Sequence, residues 1–195
     1  MSQPDGLPRP SALLLEWKTA LKDTLFQTTD SVWVVLYHPA TLQASAYIHL
    51  QKNTLSGYWK AYHPNAYLQA QGYIREGEKQ GWWEEYYENG QTARYGHYTQ
   101  GQKQGYWREF YPQGTLAHEG YYQQDQKSGW WVMYDLQGRI EAKGRYLKGE
   151  KDGYWHFYTH SKPVQEGFFC EGKPCQWWKI YDEQGNIVQL LEKNS

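Results

Sequence analysis

This chain of 195 residues lacks several features that would place it in a common functional class. The repeat region has no apolar run of the roughly 18 residues that a membrane-spanning helix needs. Lysine and arginine number 20 against 21 aspartates and glutamates, so the net charge is −1. This balance excludes the broad electrostatic attraction that draws basic proteins to nucleic acid or anionic membranes. The first residues carry Asp5, Arg9 and several prolines and do not resemble a secretory signal, so we expect a cytoplasmic protein.

Cysteine is scarce as well, with only Cys170 and Cys175. The two flank a turn at 171–174 and can face each other across a hairpin, so a disulfide is geometrically conceivable. Because no export signal is visible, we expect two free thiols instead. No pair of histidines stands nearby at ligand spacing, and no zinc site is predicted.

No arrangement of residues predicts catalysis. The 7 histidines fall at different positions within the repeat described below, and no phosphate-binding loop or nucleophile elbow is present. A catalytic centre needs a unique, asymmetric cluster of side chains, which a repeated sequence does not provide. We therefore expect neither an enzyme nor a bound cofactor.

Aromatic residues and glycine are abundant. Aromatic side chains make up 18% of the chain, with 11 Trp and 19 Tyr, and there are 19 Gly. Aromatic residues favour strands, and glycine favours turns. The composition therefore indicates a protein built mainly from β-strands.

A repeat organises most of the sequence. The stretch from Gly81 to Gly90 reads glycine, two tryptophans, two glutamates, two tyrosines and a Glu-Asn-Gly turn, and its opening pattern returns every 24 residues. Well-formed copies begin at Gly57, Gly81, Gly105, Gly129 and Gly153, and degenerate copies begin at Ser31 and Gln176. A fixed period of this size indicates a repeat architecture whose terminal copies are atypical. We predict an elongated antiparallel β-meander of about seven hairpin repeats over residues 29–195, with a two-strand hairpin in each copy.

The segment before the repeats has a different pattern. Residues 1–10 are proline-rich and predict a disordered leader. Residues 11–28 predict one amphipathic α-helix, capped by Ser11. Its apolar positions, at spacings of three and four, are Leu13, Leu14, Trp17, Leu21 and Leu25. We expect this helix to cover an open sheet edge. The alternative is a helix that binds a partner or a membrane surface.

The two-residue period of a β-strand assigns side chains to faces. The tryptophan shared by the copies points to one face, and the glycine of the second strand leaves room there for its ring. The aromatic residue before that tryptophan, and the one three positions after it, point to the opposite face. These residues are the candidates for partner binding: Trp82, Tyr86, Tyr106, Phe110, Trp130, Tyr134, Tyr154 and Tyr158.

A row of lysines also follows the repeat. Lys79, Lys103, Lys127 and Lys151 occupy equivalent positions, which we assign to the turn before each copy. Such a row would line one rim of the sheet and contact an acidic partner or phospholipid headgroups. The alternative is that these lysines are simply solvated and deter edge aggregation.

The repeat unit resembles the MORN-repeat variant of bacterial YwqK-type antitoxin proteins. The resemblance covers about residues 31–190, and the fourth copy carries it best, through Gly105, Trp107, Phe110, Gly114, Leu116, Gly120, Tyr122, Lys127 and Gly129. It implies a β-meander and an immunity or antitoxin protein that neutralises a cognate toxin by binding it. MORN-type scaffolds that contact phospholipid headgroups are an alternative, and carbohydrate binding by aromatic hairpin repeats is a third. The oligomeric state, and any pairing between sheet edges, stay open.

Overall fold

A computed structural model describes residues 22–27, 31–37, 44–51 and 56–193, with side chains from 56 to 193. These residues form β-strands joined by short turns, and the described part contains no helix. The strands are β1 (Lys22–Gln27), β2 (Ser31–Tyr37), β3 (Ala44–Gln51), β4 (Gly57–Tyr62), β5 (Leu68–Arg75), β6 (Glu78–Tyr86), β7 (Thr92–Thr99), β8 (Gln102–Phe110), β9 (Leu116–Gln123), β10 (Gln126–Tyr134), β11 (Ile140–Leu147), β12 (Glu150–Thr159), β13 (Lys162–Cys170), β14 (Lys173–Tyr181) and β15 (Ile187–Lys193).

The chain divides into two units, Met1–Gln102 and Lys103–Ser195. In the first unit, strands β1 to β7 pair with their neighbours in chain order, and in the second, β8 to β15 do the same. The pairings are antiparallel, as in the β10–β11 and β14–β15 hairpins. The prediction of a mainly β, antiparallel meander is therefore confirmed within each unit.

The prediction of an N-terminal helix is wrong for the C-terminal part of that helix. Residues Lys22–Gln27 form strand β1, which pairs with β2 from Lys22 opposite Leu36 to Gln27 opposite Val32. Pairing with a neighbouring strand overrides the helical spacing of the apolar residues, because intrinsic helix propensity is only a weak preference. The rest of that helix, residues 11–21 and 28, and the predicted leader at 1–10 lie outside the described residues.

Two-residue turns connect the repeats. In the turn between β11 and β12, Lys148 and Gly149 both have positive φ angles of 51° and 84°, as a type I′ turn requires. The Gly149 amide donates to the carbonyl of Lys127 in the preceding repeat, at 2.9 Å. The sequence predicts a longer turn over 148–153, whereas strand β12 already begins at Glu150. The shorter turn moves Lys151 from the turn into the strand.

The turns within the repeats are longer and close on a glycine. In the second unit, the Tyr111 amide donates to the Thr115 carbonyl and the Gly114 amide donates to the Tyr111 carbonyl, both at 2.8 Å. Gly90 occupies the equivalent place after Asn89, with φ of 82°. The hairpin predicted at this Asn-Gly sequence is confirmed.

The core of each unit is a set of tryptophans that lie flat on backbone glycines. The most deeply buried are Trp83, Trp107, Trp131 and Trp155, which are 2%, 1%, 0% and 0% exposed. A Cβ atom placed on Gly144 would lie 2.3 Å from Cδ2 of Trp155, so only glycine fits beneath that ring. The indole N–H of Trp155 donates to the carbonyl of Arg145 at 3.0 Å. The predicted glycine seat for the recurring tryptophan is confirmed.

A bulge makes this arrangement possible. The β11–β12 register shifts between Lys143 and Arg145, beside the left-handed Gly153 with φ of 73°. A glycine in this conformation is the mark of one common bulge type. The regular β11–β12 pairing is interrupted next to Arg145, whose carbonyl accepts the hydrogen bond from the indole N–H of Trp155. In the last repeat Gln176 takes the same role with φ of 57°.

The expectation of free thiols is wrong. Cys170 and Cys175 form a disulfide, and their Cα atoms are 5.8 Å apart. The two-residue turn of the β13–β14 hairpin brings the cysteines within the separation that a disulfide spans. Local hairpin geometry therefore outweighs the argument drawn from the apparent lack of an export signal.

Candidate functional site: the exposed aromatic face

One side of the strands carries large rings that face solvent. On the first strand of each repeat, the residue before the buried tryptophan points outward. In the order of the chain, these residues include Trp82, Tyr106, Trp130 and Trp177, which are 46%, 41%, 64% and 56% exposed. This opposition of two adjacent aromatic residues follows from the two-residue strand period, as predicted.

The following strand supplies a second set of outward residues. Tyr106 stands opposite Tyr121 and Tyr154 stands opposite Phe168 in the strand register. Their ring centroids are 5.1 and 4.9 Å apart, in edge-to-face contact. We call this side of the strands, taken in each unit separately, the aromatic face. Its residues are Tyr58, Tyr73, Trp82, Tyr95, His97, Tyr106, Tyr121, Trp130, Tyr154, Phe168 and Trp177.

The second-strand rings were not among the sequence-based candidates. Tyr73, Tyr121 and Phe168 each directly follow a glycine that lies beneath a tryptophan ring, and His97 follows Gly96 at the equivalent place in the repeat. The residue after that glycine faces away from the buried tryptophan because side chains alternate along a strand. That alternation is the signal that identifies these residues without a structure.

A carboxylate holds the rings of this face in place in the second unit. The hydroxyls of Tyr106 and Tyr134 donate to Glu119 at 2.7 and 2.6 Å. Arg108 also donates through Nε at 3.0 Å. Burial opposes the ionisation of Glu119, but these donors outweigh it and lower its pKa. Burial, together with the bond to Glu119, raises the pKa of Tyr134 to about 12, so at neutral pH an anionic carboxylate accepts from protonated phenols.

Two further carboxylates repeat this arrangement. Glu166 accepts from Lys179 and Tyr181 at 2.9 and 2.6 Å, and its other oxygen lies 2.9 Å from Nδ1 of His156. Burial opposes its ionisation, but the donors lower its pKa to about 2. In the first unit, Glu84 accepts from Tyr86 at 2.8 Å, and Trp82 donates to it through Nε1 at 3.2 Å. Sequence reasoning missed these glutamates because their partners lie up to 15 residues away and depend on strand register.

The remaining aromatic candidates are less exposed than the outward row. Tyr86 and Tyr134 are half-buried and hold their hydroxyls on the carboxylates described above. Tyr158 is half-buried, stacks on His156 at 6.4 Å and lies 5.5 Å from the ammonium of Lys143. Phe110 is half-buried at the end of β8, opposite Leu116. These rings therefore support the face more than they project from it.

The four lysines of the predicted row do not line a solvated rim. Each ammonium lies over the ring of the tryptophan four residues later. The distances from the ammonium to a ring centroid are 4.6, 5.0, 4.2 and 4.5 Å for Lys79, Lys103, Lys127 and Lys151. The side chains of Lys79 and Lys103 are only 15% and 11% exposed. Burial lowers the pKa of Lys127. The lysines cover the tryptophan ladder, and the aromatic face lies on the other side of the strands.

Lys79 also belongs to a buried ion cluster in the first unit. Its ammonium is 2.7 Å from Glu85, which is 5% exposed and also pairs with Arg94. Burial opposes the charge on Glu85, but the two cations outweigh it and lower its pKa to about 2. Glu85 is buried on the same side of β6 as Trp83.

The described residues were also compared with the requirements of a metal site and of a membrane-spanning helix. Among the described residues, no group of three or more histidine, cysteine, aspartate and glutamate side chains is placed to hold a metal ion. No helix in the described part of the chain is long and apolar enough to cross a membrane.

Comparison with known proteins identifies no family for this chain. No protein-family model matches the sequence, and no curated protein matches it. A structure of TarM covers 60% of this chain and 23% of its own, at 10% identity and a TM-score of 0.36. A mutant S. aureus TarM in complex with fondaparinux, alpha-GlcNAc-glycerol and UDP covers 82% and 24%, at 9% identity and a TM-score of 0.28. The chain spans about a quarter of these TarM chains, and no functional argument rests on them.

Proposed function

We propose that this chain is a protein-binding repeat module that holds its partner on the aromatic face. The observation that carries the proposal is the outward row of rings, with Trp130 64% exposed on a sheet whose core lies on the opposite side. Tryptophan and tyrosine dominate the residues that contribute most to binding at protein interfaces. Large exposed rings that the fold does not need for its core are typical of such a surface.

The hydrogen-bonded carboxylates add a second argument. Tyr106 and Tyr134 are anchored on Glu119, so their rings are already fixed before a partner arrives. Ordering a side chain at an interface costs about 0.5–1.5 kcal/mol, and a ring fixed in advance avoids most of that cost. The aromatic face is therefore organised for binding in the unbound chain.

The resemblance to YwqK-type antitoxins supplies the finer proposal. The partner is a cognate bacterial toxin, and binding neutralises it. The phospholipid alternative depends on an exposed lysine row, and the cation–ring contacts of Lys79, Lys103, Lys127 and Lys151 weigh against it. Carbohydrate binding uses exposed rings as well, and a glycan array is its direct test.

The test compares an aromatic-face variant with a matched control. Trp130→Ala removes the most exposed ring, whereas Leu136→Ala removes a side chain that is 53% exposed in the β10–β11 turn. The wild-type chain is co-expressed with a toxin candidate chosen from the genes that neighbour its own, and growth and complex formation are measured. We expect rescue by the wild type and by Leu136→Ala, and an affinity at least about 30-fold weaker for Trp130→Ala, the equivalent of 2 kcal/mol at one anchor. Failure of the wild type to bind or rescue refutes the antitoxin role, and unchanged binding by Trp130→Ala refutes the role of the face.

A further inference from the structure

One position on the aromatic face of the second unit carries a cation where the neighbouring repeats carry a ring. Arg145 stands opposite Trp130 in the β10–β11 register, as Tyr121 stands opposite Tyr106 in β8–β9. Tyr106 and Tyr121 are in edge-to-face contact at 5.1 Å. Among the described residues, no ring contact and no cation–ring contact involves Trp130, which is 64% exposed. This repeat therefore leaves its outward ring uncovered.

The guanidinium of Arg145 is also without a partner. Arg145 is exposed, and its side chain makes no ion pair or hydrogen bond with any residue that the structure describes. Asp152 stands opposite it on β12, but the two side chains are not within ion-pairing distance. Arg108 on the same face differs, because it donates to Glu119 at 3.0 Å. The charge of Arg145 is therefore available to another molecule.

Lys143 adds a second cation to the same place. It lies two residues before Arg145 on β11, and side chains at this spacing share a face of the strand. Its ammonium lies 5.5 Å from the centroid of the Tyr158 ring, and within the described residues no carboxylate pairs with it. Glu141, two residues earlier, is exposed and pairs with neither cation. The surroundings of Trp130 thus hold two positive charges that the chain itself does not neutralise.

An uncovered indole beside an unpaired guanidinium favours one kind of ligand. A guanidinium can hold a carboxylate through two parallel N–H donors, a geometry that lysine lacks. A large exposed ring gains most by burying an apolar or aromatic side chain. Tryptophan and arginine are both enriched among the residues that contribute most to binding at protein interfaces.

We propose that the patch formed by Trp130, Lys143 and Arg145 binds a protein segment in which an aspartate or glutamate stands next to a large apolar or aromatic side chain. The carboxylate lies on Arg145, with Lys143 adding to the attraction, and the apolar side chain packs on Trp130. Charge complementarity of this kind selects the partner and fixes its orientation. The inference names the partner class for the aromatic face and rests on the proposed function.

The probe is a phage library of random dodecapeptides, panned on the immobilised full chain. Enriched peptides are synthesised with a fluorescent label, and their Kd is measured by fluorescence anisotropy. We expect them to carry an acidic residue beside a large apolar or aromatic one. Arg145→Gln should raise Kd about tenfold or more, because close charge pairs at interfaces have coupling energies of about 1.5 kcal/mol and above.

Lys148→Gln is the matched control. It removes the same charge three residues further along, in the β11–β12 turn. Gln124 holds the equivalent turn position in the preceding repeat with the same φ of 51°, so the fold accepts glutamine there. We expect Kd to change by less than about twofold, as for a solvated charge outside the contact. Circular dichroism and urea titration check that both variants keep the fold.

A double-mutant cycle tests whether Arg145 contacts the acidic residue of the peptide. The acid of the peptide is changed to its amide, and both peptides are measured against the wild type and Arg145→Gln. If the two groups pair directly, the two changes together should cost little more than either alone. Arg145→Lys should restore only part of the affinity, because it keeps the charge without the two parallel donors.

The outcomes separate this inference from the proposed function. Peptides that lose affinity with Trp130→Ala but not with Arg145→Gln overturn the inference and leave the aromatic face as the binding surface. Fully additive losses in the cycle also overturn it. A peptide with phosphoserine in place of its acid that binds at least about tenfold tighter assigns the cations to a phosphate instead. A library that yields no peptide sensitive to Trp130→Ala counts against both proposals.

Discussion

Replacing the seat glycine Gly144 by alanine tests the packing on which each repeat depends. Its new Cβ would lie 2.3 Å from Cδ2 and 2.4 Å from Cε2 of Trp155, far inside van der Waals contact. Trp155 is 0% exposed, Tyr146 packs edge-on against it at 5.1 Å, and Lys151 lies 4.5 Å above a ring centroid. The indole therefore has no space into which it can move without losing these contacts.

The expected cost of Gly144→Ala follows from three terms. Forcing extra volume into a packed site costs about 1–3 kcal/mol. Displacing the indole also breaks its hydrogen bond to the Arg145 carbonyl, worth about 0.5–1.5 kcal/mol. Alanine restricts the unfolded chain more than glycine does, which returns about 0.4–1 kcal/mol. We expect Gly144→Ala to lower the free energy of unfolding by about 2 kcal/mol, measured by urea titration with circular dichroism.

Gly153→Ala is the matched control within the same repeat. Gly153 has φ of 73°, and a Cβ there would meet nothing within 4 Å. Its cost is therefore conformational, about 1–2 kcal/mol for a left-handed residue, and it does not depend on the indole. In a Trp155→Leu background the cost of Gly144→Ala should shrink, and that of Gly153→Ala should not. The reasoning is refuted if Trp155→Leu leaves the cost of Gly144→Ala unchanged, or lowers the costs of both alanine variants equally.

Three further predictions concern other parts of the fold. Trp107→Ala should lower the free energy of unfolding by about 3–5 kcal/mol, and Trp130→Ala should change it by less than about 0.5 kcal/mol, in urea titrations; similar values would contradict the assignment of faces. The folded-state pKa of Glu85 is about 2 against an ordinary 4.5, so its contribution, of the order of 3 kcal/mol, is present above about pH 4.5 and lost as the pH falls towards 2. The stability difference between wild type and Glu85→Gln should disappear over that range, and a constant difference would exclude the ion cluster as its source. The disulfide between Cys170 and Cys175 should block alkylation until a reductant is added, and reduction should cost about 2 kcal/mol for so short a loop; labelling without reductant, followed by mass spectrometry, would show free thiols if the bond were absent.

The repeat and its two faces could be predicted from the sequence because both are local properties. A period of 24 residues sets the hairpins, and alternation along each strand separates Trp130 from Trp131. The structure confirms that separation, with Trp130 64% exposed and Trp131 0% exposed. The seat for the ring was also predictable, because glycine in a strand marks a place where another group approaches the backbone.

The environment of the lysines could not be predicted, since it depends on turn length. The pattern Lys-Gly-Glu-Lys-Asp-Gly reads as one turn, but a type I′ turn uses only Lys148 and Gly149. Lys151 then falls in β12 on the same face as Trp155 and reaches over its ring. An assignment that is wrong by a few residues at the turn thus moves a charge from solvent to the core.

The structure separates the residues that hold the fold from those that are free to differ. On the tryptophan side, the seat glycine, the ring and the covering lysine are interlocked, as in Gly144, Trp155 and Lys151. On the aromatic face, the residue that follows the glycine beneath a tryptophan ring is Tyr73, Tyr121, Arg145 or Phe168, with no such constraint. Substitution at these places changes the shape and charge of the surface at little cost in stability, because exposed strand positions tolerate replacement. Recognition of a particular partner should therefore depend on these positions. Arg145→Tyr, which places a ring like that of Tyr121 at this position, should alter which partner binds while leaving the midpoint of urea unfolding unchanged.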